Sequence, residues 1–228
     1  MKELLLSGDL DNHLFNRSSP SLKAPIQRVS APTRRACSTT LHQPWPSAPW
    51  ANRAGHTKEI SVSTKSGPEC SSDMRSVDYE WRLSLAELTR AADFSLLPGI
   101  DRVFTLASYG PLTLTVDGLE CTLRLGQKVK FTGEAAVTIE LDTAEPQLGL
   151  NLMTRRGSCT GSMSVERLDG KVALDPSTGI VAATVLEGTA ALSDGRKLAD
   201  LATLVLGAQT EELEAEGCLL AIATVRPV

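Results

Sequence analysis

The sequence predicts an all-β fold, because apolar side chains recur with a period of two and turn residues separate the alternating runs. Residues 112–116 and 119–125 each alternate apolar with polar side chains, and Asp117-Gly118 joins them. Two such runs around an Asp-Gly pair are a strong signal for a β-hairpin with one buried and one solvated face. Similar short runs continue to the C-terminus, and many short strands at regular spacing are typical of a sandwich or a barrel.

Further strands are predicted along the rest of the chain, with a similar rhythm in its two halves. This similarity predicts two small barrels packed together, over residues 46–157 and 158–228. A single helix is predicted over residues 84–91, because Ser84 and Glu87 have the spacing of a capping box. The other predicted strands cover residues 130–131, 137–141, 148–153, 180–186, 190–192, 201–206 and 218–225.

The first 45 residues differ from the rest, since they are rich in Ser, Pro, Thr and Arg and have no sustained period. Such a segment cannot bury enough apolar surface to offset the entropy lost on ordering. We therefore expect residues 1–45 to be a disordered extension. A basic arm that contacts nucleic acid is one alternative, because residues 21–41 carry basic side chains and no acidic one. A start codon placed upstream of the true one is another.

Composition and charge argue against several classes of protein. The formal net charge of −4 opposes bulk attraction to nucleic acid. The five cysteines are scattered and include no C-x-x-C pair, so neither a disulfide framework nor a zinc site is predicted. A reducing cytoplasm is the expected location. No run of 18 apolar residues exists, so no membrane span is expected.

Four short motifs lie in order along the chain, and each combines polar or charged residues with apolar or turn residues. Their residues are Pro49, Trp50, Asn52, Gly55, Thr57 and Glu59; Trp81, Arg82, Ser84 and Ala86; Phe94, Ser95, Pro98, Gly99, Asp101 and Arg102; and Asn151, Met153, Arg155 and Arg156. In these motifs the sequence resembles the HutD/Ves family of cupin-like proteins, of which HutD is linked to bacterial histidine utilisation. The chain departs from the family pattern at Arg53 and Ala54, where glycines are usual, and at Gly149, where Asp is frequent.

The resemblance implies a bicupin, in which one chain forms two β-barrels. It also implies a role in small-molecule binding or regulation, since the family is not established as enzymatic. Intermediates of histidine breakdown, such as formyl- or formimino-glutamate, are the ligands that it suggests. A small anionic molecule is thus the expected partner, nucleic acid and membrane are not expected, and a homodimer is left open.

Many cupins are metalloenzymes, whose site needs roughly three imidazoles and a carboxylate inside a barrel. This chain has three histidines in total, His13, His42 and His56, and no His-x-His pair. Two of them lie in the predicted extension. The sequence therefore predicts no metal and no other cofactor, with an all-carboxylate metal site as the alternative.

Arg102 is the principal candidate for ligand binding. It follows the Pro98-Gly99 turn, and its guanidinium could grip a carboxylate in a bidentate pair. The alternative is a structural pair between Asp101 and Arg102 that fixes the loop. Arg82 is a second candidate, because strand alternation turns it to the face opposite its apolar neighbours; a solvated strand face is its alternative.

Asn52, Thr57 and Glu59 complete the predicted ligand-binding set. Asn52 and Thr57 could hydrogen-bond a ligand amide or formyl group, or they could serve turn structure alone. Glu59 could act as a general base or lie exposed on a strand. Three other polar residues are interpreted as structural: Asn151, Arg155 and Arg156. The alternative is that one of these arginines pairs with a ligand carboxylate.

The sequence thus predicts a metal-free protein that binds a small carboxylate and regulates histidine utilisation. A metal-free isomerase or hydrolase with Glu59 or Asp101 as its base is one alternative, and a protein-interaction module is another. A binding protein is favoured over an enzyme, and no catalytic residue is assigned, because no histidine follows His56 to activate a serine or cysteine nucleophile.

Overall fold

The computed structural model describes residues 39–42, 48–49, 55–64 and 79–228, which lie in one compact unit spanning residues 36–228. These residues form β-strands joined by turns, with one short 3-10 turn at Pro176–Thr178. The all-β prediction is therefore confirmed. None of the helical structure in the described part of the chain has the length or apolar character of a membrane span.

The described residues form sixteen strands. In chain order they are β1 (Thr40–His42), β2 (Ala48–Pro49), β3 (Gly55–Thr64), β4 (Tyr79–Leu88), β5 (Ala92–Asp93), β6 (Ile100–Leu106), β7 (Leu112–Val116), β8 (Leu119–Leu123), β9 (Lys128–Thr132), β10 (Val137–Leu141), β11 (Gln147–Arg155), β12 (Cys159–Leu174), β13 (Ile180–Leu192), β14 (Lys197–Leu198), β15 (Thr203–Val205) and β16 (Glu211–Pro227). The predicted hairpin is present, since β7 and β8 pair around Asp117-Gly118. Both turn residues have the positive φ that this type of tight turn requires.

The strands form three antiparallel sheets. The N-terminal sheet has the order β2-β3-β4-β11-β6-β9, and a small sheet has the order β5-β10-β7-β8. The C-terminal sheet has the order β1-β15-β13-β16-β12, with β14 beside β13. Apart from β1, the chain completes the first two sheets by Arg155 and enters the third at Cys159.

The helix predicted over residues 84–91 is wrong, because Ser84 and Glu87 lie within β4. This strand has hydrogen-bonded neighbours on both sides, β3 and β11. Leu83 and Leu85 on it are buried on one face. Two paired edges and a buried apolar face outweigh a capping signal in a segment that has no helical period.

Two apolar clusters stabilise the sheets. The first joins Leu83, Leu150 and Leu152 of the N-terminal sheet to Ala221 and Ala223 of the C-terminal sheet. The second lies on the C-terminal sheet and consists almost entirely of Leu, Val, Ile and Ala side chains. Burying one such leucine contributes about 1.5–3 kcal/mol, so these aliphatic contacts supply the core that the scarce aromatic residues cannot.

Residues 40–42 form β1, although the predicted extension included them. The strand pairs with β15, beginning at Thr40 opposite Val205, and Leu41 packs against the second apolar cluster. Its backbone groups therefore have partners, and its apolar side chain is partly buried, which together offset the entropy of ordering. The end of the predicted extension is thus corrected to before residue 40; residues 1–38 lie outside the described residues.

Candidate anion-binding site

Strand register brings the two candidate arginines onto one face of the N-terminal sheet. Arg82 on β4 pairs with Met153 on β11, and Met153 pairs with Arg102 on β6. Directly opposed residues of antiparallel strands point to the same face, so these side chains form a row, and a second row follows two residues along. We call the two rows the arginine face, which consists of Arg82, Met153, Arg102, Ser84, Asn151 and Phe104.

The opposite face of the same strands is apolar. Leu83, Val103 and Leu152 point away from the arginine face and belong to the first apolar cluster. The predicted orientation of Arg82, opposite its apolar neighbours, is confirmed. Two strand spacings, about 10 Å between backbones, separate Arg82 from Arg102, and Met153 lies between them.

Arg102 is a buried cation with no carboxylate partner among the described residues. It is only 5% exposed, and its guanidinium carbon lies 4.7 Å from the ring centre of Phe94 and 5.2 Å from that of Phe131. Its Nη1 donates one long hydrogen bond, 3.4 Å, to the backbone oxygen of Ser95. Its Nε has no hydrogen-bond partner in the described part of the chain. The two aromatic rings attract a cation but do not neutralise it.

This burial disfavours the charged form of Arg102. Desolvation lowers its pKa from the ordinary arginine value to about 10; Tyr79 opposes that change and the charge of Arg82 adds to it. A shift of this size corresponds to about 3 kcal/mol of unfavourable interaction in the charged state. Because the folded-state pKa lies below the ordinary value, the charge destabilises the fold at neutral pH, and the cost is relieved only as pH rises through about 10. Buried groups with strongly shifted pKa values cluster at functional sites.

Asp101 does not pair with Arg102, so the Asp101–Arg102 pair considered as the alternative is not formed. Neighbouring residues of a strand point to opposite faces. The Oδ1 atom of Asp101 instead accepts hydrogen bonds from Nε and Nη2 of Arg156, at 3.0 and 2.8 Å. Asp101 and Arg102 therefore have separate environments, one an exposed ion pair and the other a buried, unpaired cation.

Arg156 fixes the loop that covers Arg102, in agreement with its structural interpretation. Its Nη1 and Nη2 donate to the two carboxylate oxygens of Glu134 at 3.1 and 2.9 Å, and Glu134 also accepts from the backbone N–H of Gly99 at 2.7 Å. The hydrogen bond from Arg156, followed by that from Gly99, lowers the pKa of Glu134 from 4.5 to about 2. Gly99 has a φ of 78°, which a side chain would strain. The clamp thus holds the end of the loop whose Phe94 and Ser95 contact Arg102.

Asn151, interpreted from the sequence as structural, lies on the arginine face one row from Arg102. It is 5% exposed, and its Oδ1 has no hydrogen-bond partner among the described residues. An unpaired amide oxygen beside an unpaired guanidinium N–H can receive a ligand that carries both an N–H donor and an oxygen anion. The sequence signal that could have identified Asn151 as a site residue is its position between Leu150 and Leu152, in an otherwise apolar run.

Gly149 also points to the arginine face, two residues before Asn151. A Cβ added at Gly149 would lie 2.3 Å from the ring of Phe104, so the ring occupies the space that a side chain would need. The resemblance implies that Asp is frequent at this position. In this chain the ring of Phe104 fills the space beside Gly149, so position 149 contributes no carboxylate to the arginine face.

Arg82 and Glu59 are brought together, at the edge of the arginine face. Nε of Arg82 lies 3.2 Å from Oε2 of Glu59, which is an ion-pair distance, but the angle is not that of a hydrogen bond. The Glu59 side chain is 55% exposed, so solvent screens the pair. The two carboxylates offered as a base, Glu59 and Asp101, thus each already have an arginine neighbour.

Thr57 shares the face of Arg102 but not its neighbourhood. It pairs with Ala86, in a row that continues to Leu106, four residues along β6 from Arg102. Three strand spacings add about 14 Å sideways, so one small ligand cannot contact both side chains. Thr57 also already has an interaction partner within the protein. Asn52, the remaining candidate, lies outside the described residues.

The residues of the arginine face do not suit a metal ion. In the described ranges no group of three or more His, Cys, Asp or Glu side chains is placed to hold one. The face presents two guanidinium groups and a thioether, and the positive charges oppose a bound cation. This set of side chains favours an anion over a cation.

The antiparallel sheets define an all-β, cupin-like protein. The chain belongs to the HutD family, whose model matches residues 42–221. The confirmed resemblance thus covers both halves of the described structure.

Comparisons with known proteins agree with this assignment. The chain is 34% identical to Protein Ves of Citrobacter koseri over 117 residues, which are 51% of this chain and 56% of that protein. The match therefore spans about half the length of the relative. Among solved structures, HutD from Pseudomonas fluorescens SBW25, in a formate condition, aligns with a TM-score of 0.67 at 21% identity, over 84% of this chain and all of that one.

A second solved structure gives the same result. A conserved protein of unknown function from Pseudomonas aeruginosa PAO1 aligns with a TM-score of 0.65 at 22% identity, over 83% of this chain and 99% of that one. At these identities the two structural matches establish a shared fold and nothing about shared chemistry.

Proposed function

We propose that the arginine face binds a small carboxylate and that Arg102 is its main contact. The observation that carries the proposal is a guanidinium that is 5% exposed, has an unused Nε and lacks a carboxylate partner among the described residues. Leaving such a charge buried and unpaired is costly, whereas an anionic ligand would compensate it.

The chemistry of the guanidinium favours a carboxylate. Nη1 is occupied by the Ser95 oxygen, whereas Nε and Nη2 make no hydrogen bond to a described residue. These two adjacent donors form a planar fork that matches the two oxygens of a carboxylate. The unpaired Oδ1 of Asn151 adds an acceptor for a ligand N–H, which favours an acylated amino acid over a simple acid.

Family membership supports a regulatory role in histidine utilisation. The matching family is HutD, and the Pseudomonas fluorescens HutD structure was obtained in a formate condition, formate being the smallest carboxylate. Formyl- and formimino-glutamate combine carboxylates with an N–H group, and we propose them as the natural ligands. We also propose that the two halves of the chain act as two cupin-like barrels in the cytoplasm; the described cysteines Cys121, Cys159 and Cys218 form no disulfide.

Isothermal titration of the whole chain tests the proposal, with N-formyl-L-glutamate, formimino-L-glutamate and formate as probes and formamide as the uncharged control. Truncating one partner of a desolvated charge pair costs about 2–5 kcal/mol. Arg102→Ala should therefore weaken carboxylate binding by roughly thirtyfold or more, and Arg102→Lys should restore it only in part because an ammonium lacks the planar fork.

The matched control is Arg196→Ala. Arg196 is an exposed arginine of the C-terminal half that pairs with Asp194 at 2.7 Å, so its removal should leave binding unchanged. If Arg102→Ala and Arg196→Ala bind the probes equally well, the arginine face is not the site. If formamide binds as tightly as formate, charge recognition by Arg102 is wrong.

A further inference from the structure

We infer that Tyr79 is a further ligand-binding residue of the arginine face and donates its phenol O–H to the bound carboxylate. The inference rests on the proposed function and extends it, since none of the sequence motifs includes Tyr79. It specifies a ligand carboxylate that the donor fork of Arg102 holds by both oxygens, one of which also accepts a hydrogen bond from Tyr79.

An irregularity in β4 turns Tyr79 toward the arginines. Ser63 of β3 is opposite Trp81, yet the next residue of β3 is opposite Tyr79, so Glu80 is an extra residue in β4. Such a bulge breaks the alternation and re-aims the side chain beyond it. Tyr79 consequently leaves the face of Trp81, and its hydroxyl reaches Met153, in the row between Arg82 and Arg102.

The hydroxyl of Tyr79 has a poor hydrogen-bond partner among the described residues. It donates to Sδ of Met153 at 3.3 Å, and a thioether sulfur is a weak acceptor. Exchanging this contact for a carboxylate oxygen replaces a weak hydrogen bond with a charge-assisted one. The backbone is already fixed, because Nε of Arg155 donates to the carbonyl oxygen of Tyr79 at 3.1 Å.

The electrostatic surroundings suit a donor next to an anion. Three guanidinium groups influence Tyr79, those of Arg82, Arg102 and Arg155. Burial nevertheless raises the pKa of Tyr79 above its ordinary value. The three cations act to lower this pKa, whereas the charge of Glu59 acts to raise it, as burial does. The phenol therefore stays protonated at neutral pH and is available as a donor.

The chain offers a matched control, because it contains only two tyrosines. Tyr109 is 69% exposed and lies on a loop outside the N-terminal sheet. Tyr79→Phe should weaken the binding of N-formyl-L-glutamate and formate about tenfold or more, as expected for losing a hydrogen bond to a charged group. Tyr109→Phe should bind like the wild type, and both variants should unfold at the wild-type temperature.

Tyrosine-selective ¹³Cζ labelling supplies a direct readout, since only two signals arise and each variant removes one. Saturating N-formyl-L-glutamate should shift the Tyr79 signal and leave the Tyr109 signal in place. Binding that is lost in Arg102→Ala but kept in Tyr79→Phe, or an unmoved Tyr79 signal at saturation, overturns this inference and spares the proposed function. A wild-type protein that binds none of the probes overturns both.

Discussion

Two pairs of buried polar residues, one in each half of the described chain, differ in their hydrogen bonding. In the C-terminal half, Thr184 and Thr203 are buried side by side, and their hydroxyls share a hydrogen bond of 2.9 Å. In the N-terminal half, Arg102 and Asn151 are buried almost as completely, yet Nε of the one and Oδ1 of the other have no partner among the described residues.

The difference has an energetic consequence. A satisfied buried pair costs little, whereas an unsatisfied buried group costs the full loss of its hydration. The arginine face therefore carries an energetic penalty that the threonine pair does not, and the proposed carboxylate would relieve it. The predictions below test whether these two kinds of burial respond differently to substitution.

The largest effect on stability should come from the apolar side of the arginine-bearing strands. Leu152 is fully buried in the first apolar cluster, next in sequence to Asn151 but on the opposite face. Leu152→Ala should lower the free energy of unfolding by about 2–5 kcal/mol, because it removes buried methyl groups and leaves a cavity. Urea unfolding measures this. A loss below about 1 kcal/mol would mean that this face does not join the two sheets as described.

The threonine pair should show the cost of breaking a satisfied contact. Thr184→Val leaves the hydroxyl of Thr203 buried without a partner and should cost about 1–3 kcal/mol. Replacing both threonines by valine should restore most of that loss, since neither hydroxyl then remains. A double variant as unstable as the single one in urea titration would contradict the pairing.

Asn151→Ala should have a smaller effect, confined to ligands with an N–H group. A neutral hydrogen bond contributes about 0.5–1.5 kcal/mol, so binding of N-formyl-L-glutamate should weaken roughly two- to tenfold. Formate has no N–H and should bind Asn151→Ala as it binds the wild type. Equal weakening of both ligands in titration calorimetry would show that Asn151 supports the site without contacting the ligand amide.

The smallest effect should be a pH dependence at the clamp that holds the loop over Arg102. The pKa of Glu134 falls from 4.5 to about 2 because Arg156 and Gly99 donate hydrogen bonds to it. A carboxyl with a lowered folded-state pKa stabilises the fold above its ordinary pKa, and this contribution is lost as pH falls from about 4.5 to about 2. Glu134→Gln should therefore be less stable than the wild type at neutral pH, with the gap closing across that range. Thermal unfolding at several pH values measures it, and a constant gap would show that Glu134 is not the titrating group.

Much of the fold could be predicted from local pattern. The period of two marked β7 and β8, the Asp-Gly pair marked their turn, and alternation set the direction of Arg82. The helix over residues 84–91 was wrong because a capping signal is local, whereas β4 is decided by its two neighbouring strands.

Less of the site could be predicted, because it depends on which residues face each other across strands. Sequence spacing joined Asp101 to Arg102, but the strand places them on opposite faces. Spacing also grouped Thr57 with Arg102, although the register separates them. The extra residue in β4 that redirects Tyr79 is likewise a property of strand pairing. Such register and bulges are tertiary facts that a single sequence does not express.

The central claim is that Arg102 is retained for a ligand and not for the fold. Arg102→Met tests it directly, because methionine keeps a long side chain against Phe94 and Phe131 while removing the charge. Replacing a buried, uncompensated charge with an apolar side chain should raise the free energy of unfolding by about 1 kcal/mol or more in the absence of ligand. The same variant should lose the stabilisation that N-formyl-L-glutamate gives the wild type in a thermal shift measurement. A variant that is less stable than the wild type, or that N-formyl-L-glutamate stabilises as strongly, would contradict the account.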